Sequence, residues 1–251
     1  EQWETILLRN VVIFLSLYLS TYLILYKSPM CSYFLRYKLN KSYPPARLVA
    51  VEVGRSARGV LIASLLEASI HELTRKGELP LISPSFLHIS RNVASAAARP
   101  LLTALLLGYF YGDCHFYWTH KLLHAKPLYA AIHKYHHESF NPDPFSGLSM
   151  HAVESLIYFS SAFSLSLFVP LWMGRLMFVG QIIFPLEGHA GFGTWSREET
   201  VNHYIHHSKF EWNFGSSPLW DKLIGTDYKM KEQEERERNT SRPKDMSSTG
   251  G

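Results

Sequence analysis

Three short boxes gather eight of the chain's thirteen histidines: HKLLH at 120–124, HKYHH at 133–137 and HYIHH at 203–207. Imidazole is the side chain best suited to proton transfer near neutral pH and the commonest metal ligand. On a helix, residues i, i+3 and i+4 lie on one face. The HxxHH spacing therefore turns His133, His136 and His137 in one direction, and His203, His206 and His207 in another. His120 and His124 align by the same geometry. One HxxxH alone is more often a surface pair, but two HxxHH boxes with an HxxxH beside apolar segments point to metal ligation. Eight convergent nitrogens exceed the roughly four to six that one ion takes, so two metals are expected. Imidazole suits zinc, copper, iron and nickel, so ligand type does not choose among them.

Helical phase sorts the other candidates. At about 100° per residue, Asp113, Tyr117, His120 and His124 form one stripe. Asp113 is then placed to accept the outer N–H of a ligating imidazole, with a solvated helix-end aspartate as the plainer alternative. His115 falls on the opposite side and is not expected to ligate. His189, in the glycine-rich EGHAGFG, is a candidate ninth ligand, and His151 a weaker one. His71 and His88 read as ordinary polar residues.

The elements around the boxes are strongly apolar. Residues 11–26, VVIFLSLYLSTYLILY, extended by 6–8, are long enough to span a bilayer. Tyr22 and Tyr26 sit where an interfacial belt belongs. The next segment, 27–47, carries Lys27, Arg36, Lys38, Lys41 and Arg47 without an acidic residue, which marks it as cytosolic. After Pro44 and Pro45 an amphipathic helix is expected near 49–73, then a turn at RKGELPLISP. A third apolar helix in 99–118 leads into the first box. The stretches 153–170 and 171–186 form an apolar hairpin broken at Pro170, with Glu154 and Arg175 inside it. All three boxes then fall on one side of the membrane. Residues 229–251 are charged, then rich in Ser, Thr and Gly, and are expected to be a disordered tail.

The mean hydropathy of −0.05 blends these segments with the charged end. The net charge of +4 is not arranged as a basic face, which argues against a nucleic-acid partner. The two cysteines, Cys31 and Cys114, form no CxxC. Together these readings give an all-α fold: an integral membrane helical bundle with a cytosolic histidine-box di-metal cap. Its expected parts are N-terminal transmembrane and amphipathic helices at 1–99, a domain carrying the three boxes at 100–228 and the tail at 229–251.

The segments YGDCHFYWTHKLLH, HKYHHES, SGLSMHAVES, GHAGFG, NHYIHHSKFEWNFG and WDKLIGTDY resemble the fatty acid hydroxylase / sterol desaturase superfamily, over about residues 100–228. The resemblance implies a membrane-bound, non-haem di-iron oxygenase that hydroxylates or desaturates a fatty acyl chain, sterol or related lipid. It implies two iron ions (with zinc as a substitute), O2 as co-substrate, and electrons from a cytochrome b5 or NAD(P)H reductase. It also implies an endoplasmic reticulum membrane in a eukaryote. By position the ligands are His120, His124, His133, His136, His137, His203, His206 and His207, with His189 added. Lys121 stands where the family often has Arg, and His151-Ala152-Val153-Glu154 lacks the proline of an HPxE-like stretch. Tyr117, Trp118, Asn202 and Trp212 are polar neighbours of the expected oxygen pocket with no assigned role.

The chemistry fits this layout, because an unactivated C–H bond offers acid–base groups nothing to act on and needs a redox cofactor. Hydroxylation is favoured over desaturation as a family-level analogy. A divalent-metal transporter is the competing class, but its ligands belong near the midplane of spans, whereas these boxes lie in polar surroundings. A zinc hydrolase needs three ligands and an open position, fewer than the boxes supply.

Overall fold

The computed structural model describes residues 3–78, 93–167, 169, 171–192 and 197–241, and among them every regular element is helical. The first helix, α1, runs Trp3–Lys27 and contains π-helical turns at Leu15–Leu19 and Leu23–Lys27. Its 25 residues at about 1.5 Å each exceed the roughly 30 Å of a bilayer core. Among the described residues it is the one helix long and apolar enough to cross a membrane. A short α2, Cys31–Leu35, follows in the basic loop.

Helix α3, Ala46–Lys76, is the central post. Pro45 starts it with extended backbone, and Gly77 ends it at φ 70°. There the N–H groups of Gly77 and Glu78 close back onto the carbonyls of Thr74 and Leu73, a left-handed cap that glycine adopts without strain. Its buried residues Val49, Glu52, Ser56, Val60, Ala63, Glu67 and Ile70 recur every three or four positions, one stripe facing inward. Helix α4 is Val93–Leu123 and carries the first box at its end. The second box lies on α5, three consecutive pieces at Lys126–Leu128, Tyr129–His133 (a π-helical turn) and Lys134–His137. A 3-10 turn, Pro144–Leu148, precedes α6, Ala152–Ser166, and α7, Leu171–His189. The third box is on α8, Arg197–Lys209, followed by α9, Pro218–Ile224, and α10, Tyr228–Ser241.

The core forms where α1, α3, α6 and α7 close around the 3-10 turn: Phe14, Tyr18, Val60, Ala63, Phe145, Leu148, Phe159, Phe178 and Ile182 are all buried there. Gly147 is required by this closure, since a Cβ at that position would lie 2.6 Å from the carbonyl oxygen of Pro185. The charged residues that interrupt the apolar runs are used inside the bundle. Arg9 donates to Glu67 at 2.5 Å, Asn10 donates to Glu67 and Ser64, and Arg175 lies 3.7 Å from Glu67.

The end of α1 and the basic loop after it pack against the layer that carries the boxes. The Tyr26 hydroxyl donates to the carbonyls of Pro142 and Ala190, Lys38 donates to Asn141, and the Leu39 N–H donates to Gly191. The expected tail differs from the structure at its start. Residues 228–241 are helical, with Lys229 bridging to Glu198 and Lys231 to Glu235; charge pairs at i, i+4 support a helix that has no apolar stripe. Residues 242–251, His88, most of the turn after Lys76 and Pro170 lie outside the described residues.

Candidate metal centre

The ends of α4, α5, α7 and α8 bring nine histidines together as two groups. His120, His124, His133, His137 and His206 form one; His136, His189, His203 and His207 form the other. Within each, one ring nitrogen per residue lies within 4.8 Å of all the others. The groups abut, with the rings of His137 and His207 4.8 Å apart.

The boxes do not each turn one way. His133 and His137 face the five-membered group while His136 faces the other; His203 and His207 face the four-membered group while His206 crosses back. Positions i+3 and i+4 stand about 100° apart around a helix, so one HxxHH box on the seam between two sites serves both. His189, at the end of α7, supplies the fourth nitrogen of the smaller group, 2.8 Å from His203 and 3.3 Å from His136.

Hydrogen bonds on the far side of the rings set the tautomers. His120 Nδ1 donates to the carbonyl of Phe214 at 2.7 Å, His206 Nδ1 to that of Trp212 at 2.7 Å and His189 Nδ1 to that of Pro185 at 2.8 Å. His133 Nδ1 is 2.6 Å from a carboxylate oxygen of Glu154. With the proton on Nδ1, each Nε2 presents a bare lone pair inward. Burial, then the neighbouring imidazoles, pushes His133, His136, His203, His206 and His207 well below the ordinary value, and His137 down to about 3. The groups are therefore clusters of neutral imidazoles, the form that binds metal.

That donor set fits a cation. Nε2 atoms approach to 3.1 Å between His120 and His133, 3.0 Å between His133 and His124, and 3.1 Å between His203 and His207. Bare lone pairs at such distances repel. Two nitrogens each about 2.0–2.1 Å from one ion stand about 3 Å apart at ordinary coordination angles, so the same spacing is what a shared metal would impose.

The remaining candidates lie elsewhere. Asp113 is buried at 3 % exposure, but its carboxylate accepts from Ser216 and Ser217 and touches no box imidazole. It pins the loop that carries Phe214; the carboxylate against a box histidine is Glu154, whose signal in the sequence was a lone charge in an apolar run. His115 bonds Ser160, and His151 caps α6 by accepting from the Val153 N–H. His71 lies beside Arg175, away from both groups. Tyr117 is buried on Thr226, while Asn202 offers its carbonyl to Asn213. A cavity of about 780 Å³ opens beside the larger group, lined by Trp118, Lys121, Leu122, His124, Tyr129 and Phe214 among others.

The fatty acid hydroxylase family matches residues 105–226, the stretch that holds both groups. This stretch, just under half of the chain, resembles the fatty acid hydroxylase / sterol desaturase superfamily. The chain is 26% identical over 188 residues to the Delta(7)-sterol 5(6)-desaturase of Candida albicans, covering 72% of this chain and 47% of that protein. A Delta(7)-sterol 5(6)-desaturase of Gibberella zeae is 32% identical over 130 residues, 48% of this chain and 36% of the relative. Lathosterol oxidase of Rattus norvegicus is 28% identical over 137 residues, 50% and 45% of the two chains. The chain thus spans less than half the length of these curated relatives. No solved structure gives a significant match.

Proposed function

We propose that this chain is a membrane-bound di-metal oxidoreductase of that superfamily that oxidises a lipid with O2, and that its reaction is desaturation of a sterol. The observation that carries the reading is the convergence of nine neutral imidazoles into two all-nitrogen groups. Bound iron would supply the reduction of O2 and the removal of hydrogen from an unactivated carbon, a start common to hydroxylation and desaturation. Sequence reasoning favoured hydroxylation. The relatives reverse that preference, because those named here are sterol desaturases and a lathosterol oxidase.

The ligands in this reading are His120, His124, His133, His137 and His206 for one ion, and His136, His189, His203 and His207 for the other. The carbonyls of Phe214, Trp212 and Pro185 hold three of these rings in the ligating tautomer. The cavity beside His124 is walled by Trp118, Leu122, Tyr129, Phe210 and Phe214, a shape and polarity suited to an apolar substrate. Exposed Leu8, Val12, Leu102, Leu106, Leu176 and Phe184 give the helices a lipid-facing surface. The contact of the basic loop, through Lys38 and Leu39, with the box layer supports a cytosolic position for the boxes. In a eukaryote this layer would sit on the endoplasmic reticulum membrane and take electrons from a cytochrome b5 or NAD(P)H reductase.

Lipid profiling of cells that gain or lose the chain tests the reading. The expected result is a sterol product lacking two hydrogens of its precursor, absent with His136→Ala. A product that has gained one oxygen would return the reaction to hydroxylation. An unchanged lipid profile with metal flux into proteoliposomes would replace the enzyme by a transporter.

A further inference from the structure

We propose that Glu154 is a positioning residue that makes the two histidine groups unequal, so that the five-histidine group holds its metal more tightly than the four-histidine group. This rests on the metal reading above and adds an order of filling to it.

Glu154 lies in the first turn of α6 and is 4 % exposed. One carboxylate oxygen is 2.6 Å from His133 Nδ1, and the other is buried without a hydrogen-bond partner. The His133 imidazole is the side-chain partner of this carboxyl. A carboxylate accepting Nδ1–H draws the proton toward itself, makes Nε2 a stronger donor and fixes the ring plane. Its negative charge also offsets part of the charge that a cation brings into a buried nitrogen cage. Burial works against the ionised carboxyl, whereas the helix N-terminus and a cation on the far side of the imidazole favour it.

Among the described residues, the outer nitrogens assigned in the other group meet no carboxylate. Of its four rings, His189 is held by a neutral carbonyl, while the Nδ1 atoms of His136 and His207 are buried without partners. The larger group has His120 and His206 on carbonyls and His133 on Glu154, and leaves His137 alone with a buried unpartnered Nδ1. Five nitrogens, three of them oriented and one backed by a charge, stand against four nitrogens with one oriented.

The full chain, stripped of metal by a chelator and titrated with Co2+, reads both sites through the visible absorption of the bound ion. Wild type is expected to fill in two phases of one Co2+ each. The tighter phase should survive His203→Ala and disappear in His206→Ala. Glu154→Ala should weaken the tighter phase about 10- to 100-fold and leave the weaker one within about twofold. Glu154→Gln, whose amide oxygen can still accept Nδ1–H, should lie between and carries the test where the alanine variant fails to fold. A general structural loss would move both phases together, so selective loss is the supporting outcome. Two phases at wild-type positions in both variants, or movement of the weaker phase alone, would overturn the inference while leaving the metal reading intact. A wild-type chain that takes up no Co2+ would remove the metal reading, and this inference with it.

Discussion

The two histidine groups are built from the same boxes and differ in what stands behind them. The five-membered group is braced by Glu154 and by the carbonyls of Phe214 and Trp212, and His124 opens it to the cavity. The four-membered group is enclosed by α7 and α8, takes its fourth nitrogen from His189 and has one oriented ring among those with described outer partners. The difference teaches that the motif supplies the donors, whereas the surrounding loops decide how each set is held. Of the nine histidines, His124 is the one that lines the cavity.

The largest effects come from removing a ligand. His206→Ala should leave the four-membered group filled and empty the other, and His136→Ala should do the reverse. Metal analysis should give about one ion per chain in place of two, with lipid oxidation lost in both. Equal loss of both ions in each variant would break the comparison by making the groups one cooperative site.

Acidification follows. The His137 ring is held at about 3 against an ordinary 6.5, with burial as the first cause. Below about pH 6.5 the unfolded chain takes up protons on its histidines while the folded groups do not, so the unfolded state binds more protons and stability falls as pH falls. The loss should run from about pH 6.5 toward pH 3, read as a falling melting temperature of the metal-free chain. With metal present, the ion of the four-membered group should leave first.

Asp113→Ala gives a smaller and one-sided effect. It frees Ser216 and Ser217 beside Phe214, whose carbonyl orients His120. Affinity at the five-membered group should drop about tenfold, with the other unchanged in the same Co2+ titration. The smallest effect belongs to His115→Ala, which loses one hydrogen bond to Ser160. That costs about 0.5–1.5 kcal/mol of stability and should leave both metals in place.

Much of the site was legible because i, i+3, i+4 spacing is a local property of a helix. The nine histidines that the motifs and the glycine-rich EGHAGFG pointed to are the ones that meet. Their division was not legible, because which side of the seam His136 or His206 faces depends on how α5 and α8 pack. Partners remote in sequence were the hardest to assign. Asp113 shares a stripe with His120 yet bonds Ser216 and Ser217 more than one hundred residues away, while Glu154 reaches His133 from a helix that reads as apolar. In the fold, the long apolar run and the helix after Pro45 were readable from periodicity. The helix at 228–241 was not, since its support is charge pairing across i, i+4 and a bridge to Glu198.

X-ray absorption at the metal edge of the purified full chain, with metal content measured on the same sample, tests the central claim most directly. Two ions per chain, each in a shell of imidazole nitrogens at about 2.0–2.2 Å, is the predicted result. A metal-free active preparation, or ions bound mainly through sulfur or carboxylate oxygen, would contradict it.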